Sequence, residues 1–284
     1  MNIKTNEEYL KDFINTKRLE GCSDKTCANY TFNLKKFLES IGDKNLTEIT
    51  TTDIRNHLAN YKEVRKVSNC TLNNMRRVIS SFYTFMHNEG AVQNNPCAAV
   101  NRIKANQVIK MPYSEEELEI LRDNCKDIRE QAIIEVLYCS GMRVSELAAL
   151  NKNDIDWKEN KAVVFGKGSK EREVYFSIKA KMLLKKYLDT RKDDNEALFV
   201  YLRPPYKRLN NSGYEEILKK IGNRCGIHCY PHRFRRTCAT TLLNKGMPVQ
   251  EVSKILGHAK LETTMIYCNI NQKSVQNNFS KFMN

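Results

Sequence analysis

Over the first hundred or so residues, apolar side chains recur at every third or fourth position and almost nowhere alternate with polar ones. That spacing places them on one side of a helix, so the segment reads as helices joined by turns. Tyr30, Leu34, Phe37 and Ile41 form one stripe behind Ser23, which can cap the helix. Leu72, Met75, Ile79, Phe82 and Met86 form another. Such stripes bury against one another, which predicts a small helical bundle whose aromatics pack in the core rather than stack on bases. Asn94, Asn95 and Pro96 are expected to end its last helix. NRIKANQVIKMP, residues 101–112, then follows without periodicity, and the linker is placed at 106–112. The expected division is an N-terminal helical domain over 1–105 and a second domain over 113–284.

The second domain opens at Ser114, whose hydroxyl can cap a helix while Glu117 reaches back to complete a capping box. QAIIEVLYCSG and MRVSELAAL read as buried helices. KAVVFGKGSKEREVYF alternates around a glycine-bearing turn, as a β-hairpin does, and ALFVYL is a further candidate strand. From about residue 214 the helical period returns, giving a mainly α protein with a small β-sheet.

Charge narrows the partner. Lys and Arg number 47 against 33 Asp and Glu, a formal net charge of +14, which favours a polyanion. Lys35, Lys36, Lys62, Arg65, Lys66, Arg76 and Arg77 lie beside the apolar stripes of the bundle and can track phosphates. A membrane is disfavoured, because no run approaches the roughly 18 apolar residues of a spanning helix. The N-terminus MNIKTNEEYLKDF lacks an apolar signal, so the chain is expected in the cytoplasm with its 10 cysteines reduced. Cys225, His228, Cys229 and His232 are close in sequence, but structural zinc sites usually join two ligand pairs across a folded loop, so no metal is expected there.

Breaking a phosphodiester without metal requires a nucleophile, cations to hold the developing charge and an acid for the leaving oxygen. Arg143 in SGMRVSEL lies one helical turn before Glu146, which can hold its guanidinium. In PHRFRRTCATTLL, His232 and Arg235 project from one helix face, and Arg236 points elsewhere. MPVQEVSKILGHAKLETTMIY reads as a helix with Pro248 in its first turn and a stop at Gly257. His258 follows, with Tyr267 on the next helix. A tyrosine with an ordinary pKa of about 10 attacks only when cations or a base assist it, which Arg143, Arg235 and a histidine can do. Neither a two-metal carboxylate cluster nor a G-x-x-x-x-G-K loop is present, so no cofactor is implied.

SGMRVSEL, FGKGSKER, HRFRRTCATTLLNKGMPVQEVSKILGH and TTMIY together resemble the tyrosine recombinases and phage-type integrases, including the Xer proteins. The resemblance covers the whole chain. It implies catalytic positions at Arg143, Lys167, His232, Arg235, His258 and Tyr267, with Glu146 in support and Lys167 on the hairpin turn. It also implies a SAM-like core-binding domain and a catalytic domain forming a C-shaped clamp on double-stranded DNA. Four protomers on two duplexes are expected, with a related recombinase as a possible partner. Ser140 stands where threonine is frequent in the family, and Arg236 where many members carry histidine. The tail beyond Tyr267, with Val275, Phe279 and Phe282, can dock on a neighbour or fold back on its own chain.

Two other readings remain open. TTLLNKGMPVQEVSKILGH resembles a helix-turn-helix, which fits a DNA-binding regulator but leaves Tyr267 and Lys167 without a purpose. A type IB topoisomerase-like enzyme would use similar chemistry on a single duplex.

Overall fold

Hydroxyl side chains start each of the first four helices. In a computed structural model that describes residues 4–105, 110–166, 171–258 and 260–268, Thr5, Ser23, Thr50 and Ser68 each accept a backbone amide from the opening turn. They launch α1 (Asn6–Leu19), α2 (Asp24–Ile41), α3 (Thr51–Arg65) and α4 (Asn69–Asn88). Each cap satisfies a donor that the helix geometry leaves orphaned.

These helices belong to the first of two compact units, Met1–Val108 and Ile109–Asn284. Leu34 and Phe37 are buried, as is the whole stripe of Leu72, Met75, Ile79, Phe82 and Met86. Phe13 from α1 meets Phe82 edge-on with ring centroids 5.3 Å apart. Tyr30 and Ile41 lie at the margin of this core. Lys35, Lys62, Arg65, Lys66 and Arg77 are exposed, whereas Lys36 and Arg76 are half-buried. Arg76 turns inward to donate to the carbonyl of Val100, and Lys36 pairs with Glu39 at 2.7 Å.

The last helix of this unit ends earlier than its sequence indicates. Gly90, at φ +71°, lets the Ala91 amide return to the Met86 carbonyl and closes α4 at Asn88. Asn95 has a different task. Its side chain donates to Ser80 and accepts from the Cys97 amide, pinning the returning chain along α4.

In the second unit Ser114 and Glu117 form the capping box of α5 (Glu115–Asp123). The next helix, α6 (Ile128–Ser140), is buried on nearly every side; Ile133, Ile134 and Leu137 are fully enclosed. It is the central post against which α8 (Ile178–Asp189) and α10 (Pro231–Asn244) pack. Between them run the short α7 (Val144–Ala149) and a three-stranded antiparallel sheet of β1 (Ile155–Asp156), β2 (Lys161–Phe165) and β3 (Glu171–Tyr175). Opposed pairs such as Val163 and Glu173 set the hairpin register. Ala162, Val164 and Val174 face the core while Val163, Phe165 and Tyr175 face outward.

ALFVYL does not join this sheet. Ala197 and Val200 make only isolated bridges, to Asn151 and Arg208. Ala197, Leu198, Phe199 and Val200 are consecutively buried, so the segment threads the core without the alternation a half-exposed strand needs. It leads to α9 (Asn211–Cys225), and α10 is followed by α11 (Val249–Leu256) and α12 (Glu262–Cys268). Of the expected linker, 106–109 lie outside the described residues. Met111 and Pro112 give their carbonyls to Arg233 of α10.

Candidate active site

A helix end leaves its last carbonyls without amide partners and carries partial negative charge. Val252 and Leu256 seat the inner side of α11 against Ala239 of α10, and Gly257 stops the helix in the left-handed region at φ +64°. Glycine is required there by contact as well as by backbone angle. A Cβ at 257 would come within 2.5 Å of Arg172 Cδ.

Three successive carbonyls at this end each receive a different arginine. Ile255 accepts from Arg172 Nη1, Leu256 from Arg235 Nη2, and Gly257 from Arg143 Nη2 at 3.3 Å. Arg235, on α10, is 1% exposed. Its other terminal nitrogen donates to Gly141, the left-handed stop of α6, at 2.7 Å. Arg143 is the residue that opens α7, and Glu146 closes the turn. One carboxylate oxygen takes the Arg143 guanidinium at 2.8 Å, and the other takes its amide at 2.6 Å. That second oxygen also accepts Arg172 Nη2 at 2.6 Å. The ion pair inferred between Arg143 and Glu146 is therefore present, and Arg172 completes it from β3.

The histidines and the tyrosine surround this group. His258 follows Gly257 directly, and its Nδ1 shares a 2.7 Å hydrogen bond with Thr264 Oγ1. Thr264 and Tyr267 are the buried face of α12, three residues apart, whereas Glu262, Thr263, Met265 and Ile266 face outward. The His258 and Tyr267 rings lie 6.3 Å apart. Tyr267 is 7% exposed and packs with Ala239, Val252 and Leu256. His232 is on the first turn of α10, outermost of the set, and one turn from Arg235. Arg236 leaves the cluster toward the Met111 carbonyl and the Tyr230 hydroxyl. Lys167 lies outside the described residues.

Electrostatics follow from this crowding. Burial, then Arg143 and Arg172, lower Arg235 to about 10, so it remains a cation at neutral pH. Burial and the arginines push His258 down to about 4, leaving a neutral imidazole. His232 is lowered in the same direction by desolvation and by Arg235, Arg236, Lys110 and Arg143. Among these groups Glu146 is the carboxylate set against three guanidinium cations. The excess positive charge, fixed by backbone carbonyls, is arranged to hold an anion from several sides.

Cys225, His228, Cys229 and His232 do not assemble around a common point. Cys225 turns back to the carbonyls of its own helix, and the described residues contain no group of three or more potential metal ligands.

The sequence pattern of the Phage integrase family matches residues 95–274, a span that contains every residue of this cluster. The chain belongs to the phage integrase family. Residues 9–89 of this integrase-family chain match the N-terminal SAM-like domain of phage integrases. The tyrosine recombinase XerC of Oceanobacillus iheyensis is 32% identical, over 97% of this chain and 95% of the relative. Among solved structures, the crystal structure of XerA recombinase is similar with a TM-score of 0.55 at 28% identity, covering 98% of both chains. That of XerH site-specific recombinase bound to a palindromic difH substrate, a post-cleavage complex, gives a TM-score of 0.75 at 21% identity. It covers 99% of this chain and 85% of that one, and supports the fold alone.

Sequence reasoning missed Arg172 and Thr264. Arg172 is the last residue of FGKGSKER, but the resemblance singled out only Lys167 in that block, and a strand arginine carries no period that separates it from a surface charge. Thr264 left a readable trace: it falls one turn before Tyr267 on the same helix.

Proposed function

We propose that this integrase-family member is a site-specific DNA recombinase that cleaves and rejoins DNA through a covalent bond to Tyr267. The observation that carries the reading is the convergence of Arg143, Arg235, His258 and Tyr267 around the carbonyl end of α11. The tyrosine oxygen attacks the scissile phosphorus, and the bond to the 5′-oxygen breaks, giving a 3′-phosphotyrosine and a free 5′-hydroxyl. The phosphodiester energy is retained in the protein link. Attack by a 5′-hydroxyl from the partner site then reverses the step and releases Tyr267, so strands exchange without an external energy source.

Arg143 and Arg235 hold the non-bridging oxygens, and neutral His258 donates a hydrogen bond to the phosphate through the ring nitrogen that faces away from Thr264. His232, held below its ordinary value, accepts the Tyr267 proton. Lys167 is assigned as the acid for the leaving 5′-oxygen, and Glu146 as the support of Arg143. The unit of residues 1–105 serves as core-binding domain and 113–284 as catalytic domain, with four protomers acting on two double-stranded sites. The protein is placed in the cytoplasm with its DNA. Among the described residues no helix is long and apolar enough to cross a membrane.

A nicked suicide duplex bearing a site recovered by binding selection tests the assignment. Wild type is expected to leave a denaturant-resistant protein–DNA adduct, whereas Tyr267→Phe binds the same duplex and leaves none. An adduct in the phenylalanine variant would overturn the choice of nucleophile.

A further inference from the structure

We propose that Arg172 is a positioning residue of the recombination chemistry, one that fixes the arginine pocket by tying β3 to both Glu146 and the end of α11. The proposal rests on the recombinase reading above, and Arg172 acts through Arg143 and Arg235 rather than on DNA. Its side chain is 9% exposed and both terminal nitrogens are engaged, one on Glu146 and one on the Ile255 carbonyl. Its remaining donor, Nε, is buried without a partner against Gly257.

Two links leave this guanidinium. Through Glu146 it reaches Arg143, because the carboxylate oxygen that takes Arg172 also takes the Arg143 amide, while its twin takes the Arg143 side chain. Through Ile255 it reaches the next two carbonyls, which carry Arg235 and Arg143, and then His258. Its aliphatic stem also lies beneath Gly257, close enough that any Cβ there would collide with it. Arg172 thus sets the height at which residues 255–258 cross the site. Filling this space with a cation is costly: burial and the neighbouring Arg143 both lower its pKa. An apolar side chain would fill the same volume more cheaply, so the forked donor pair is what the position requires.

Adduct formation in single turnover distinguishes this from a merely structural role when two nicked duplexes are compared. One carries the ordinary scissile phosphodiester. In the other a methyl group replaces one non-bridging oxygen, so the scissile group is uncharged and depends less on well-placed cations. Arg172→Gln is expected to react about tenfold to a hundredfold more slowly on the charged duplex, the cost of misplacing reacting groups by roughly an ångström. Its DNA affinity should be unchanged, and its deficit relative to wild type should shrink on the uncharged duplex. Arg172→Lys keeps one charged donor and should fall between; it carries the same comparison if the glutamine variant does not fold. An equal deficit on both duplexes, or wild-type rates on the charged one, overturns the positioning role and leaves the recombinase reading intact. Absence of any adduct in wild type overturns the recombinase reading, and the role of Arg172 with it.

Discussion

At the scale of single residues, His57 shows how burial becomes pH dependence. It is 6% exposed in the core of the first unit, shares a 2.6 Å hydrogen bond with Ser40, and is pushed by burial down to about 4. The unfolded chain binds a proton near the ordinary value of 6.5 and the folded chain does not. The stability this group contributes is therefore complete above about 6.5 and is lost as pH falls toward about 4, by up to about 1.4 kcal/mol per pH unit. Urea unfolding at pH 7 and pH 5 should show the loss, and His57→Gln should flatten the difference. His258 has the same sign, but an anion in the pocket would raise its proton affinity, so only the DNA-free protein should show its full depression. The sequence made His258 legible through its place after Gly257. His57 was not singled out, although it falls one turn after Ile54 and beside Leu58 on the buried face of α3.

At the scale of elements, the site depends on where helices stop. Gly141 and Gly257 are both left-handed stops, and their carbonyls are held by Arg235 and Arg143 respectively. Gly257→Ala combines a disfavoured backbone angle with a Cβ pressed onto Arg172, so it should cost at least about 1 kcal/mol and slow adduct formation more than it weakens DNA binding. Chemical denaturation and the adduct assay would separate the two effects. Helix starts and stops were largely readable: Ser23, Ser114 and Gly257 each do what their residue type indicates. The end of α4 was not, because Asn94, Asn95 and Pro96 resemble a stop while Gly90 supplies it. ALFVYL misled for another reason. Apolar content marks burial, but strand pairing depends on a neighbour that sequence does not name. The helix-turn-helix reading of α10 and α11 described a true pair of packed helices, the second of which ends in the carbonyls that the arginines hold.

At the scale of the whole molecule, the +14 charge governs binding more than chemistry. Affinity for duplex DNA should fall linearly on a log–log plot against salt, with a slope near −0.9 per phosphate contacted, so that about six to ten contacts lose some 10³–10⁵ in affinity between roughly 50 and 200 mM. Equilibrium titrations across that range check it, and a flat response would deny that phosphates dominate. The exposed Lys35, Lys62, Arg65, Lys66 and Arg77 are suited to such contacts. Arg76 is not, since its guanidinium is turned to Val100. That distinction was invisible in the sequence, where Arg76 and Arg77 are adjacent and alike; a helix separates neighbours by about 100°, and only packing decides which one faces in.

The carbonyl ladder at the end of α11 has a consequence for how this protein can change. Side chains on the outer face of that helix can be exchanged freely, since the arginines read only its backbone. Length cannot. Adding or deleting one residue within Val249–Leu256 would swing Ile255, Leu256 and Gly257 round the axis together. Drift in composition is thus tolerated where a change in register would dismantle the whole pocket in one step.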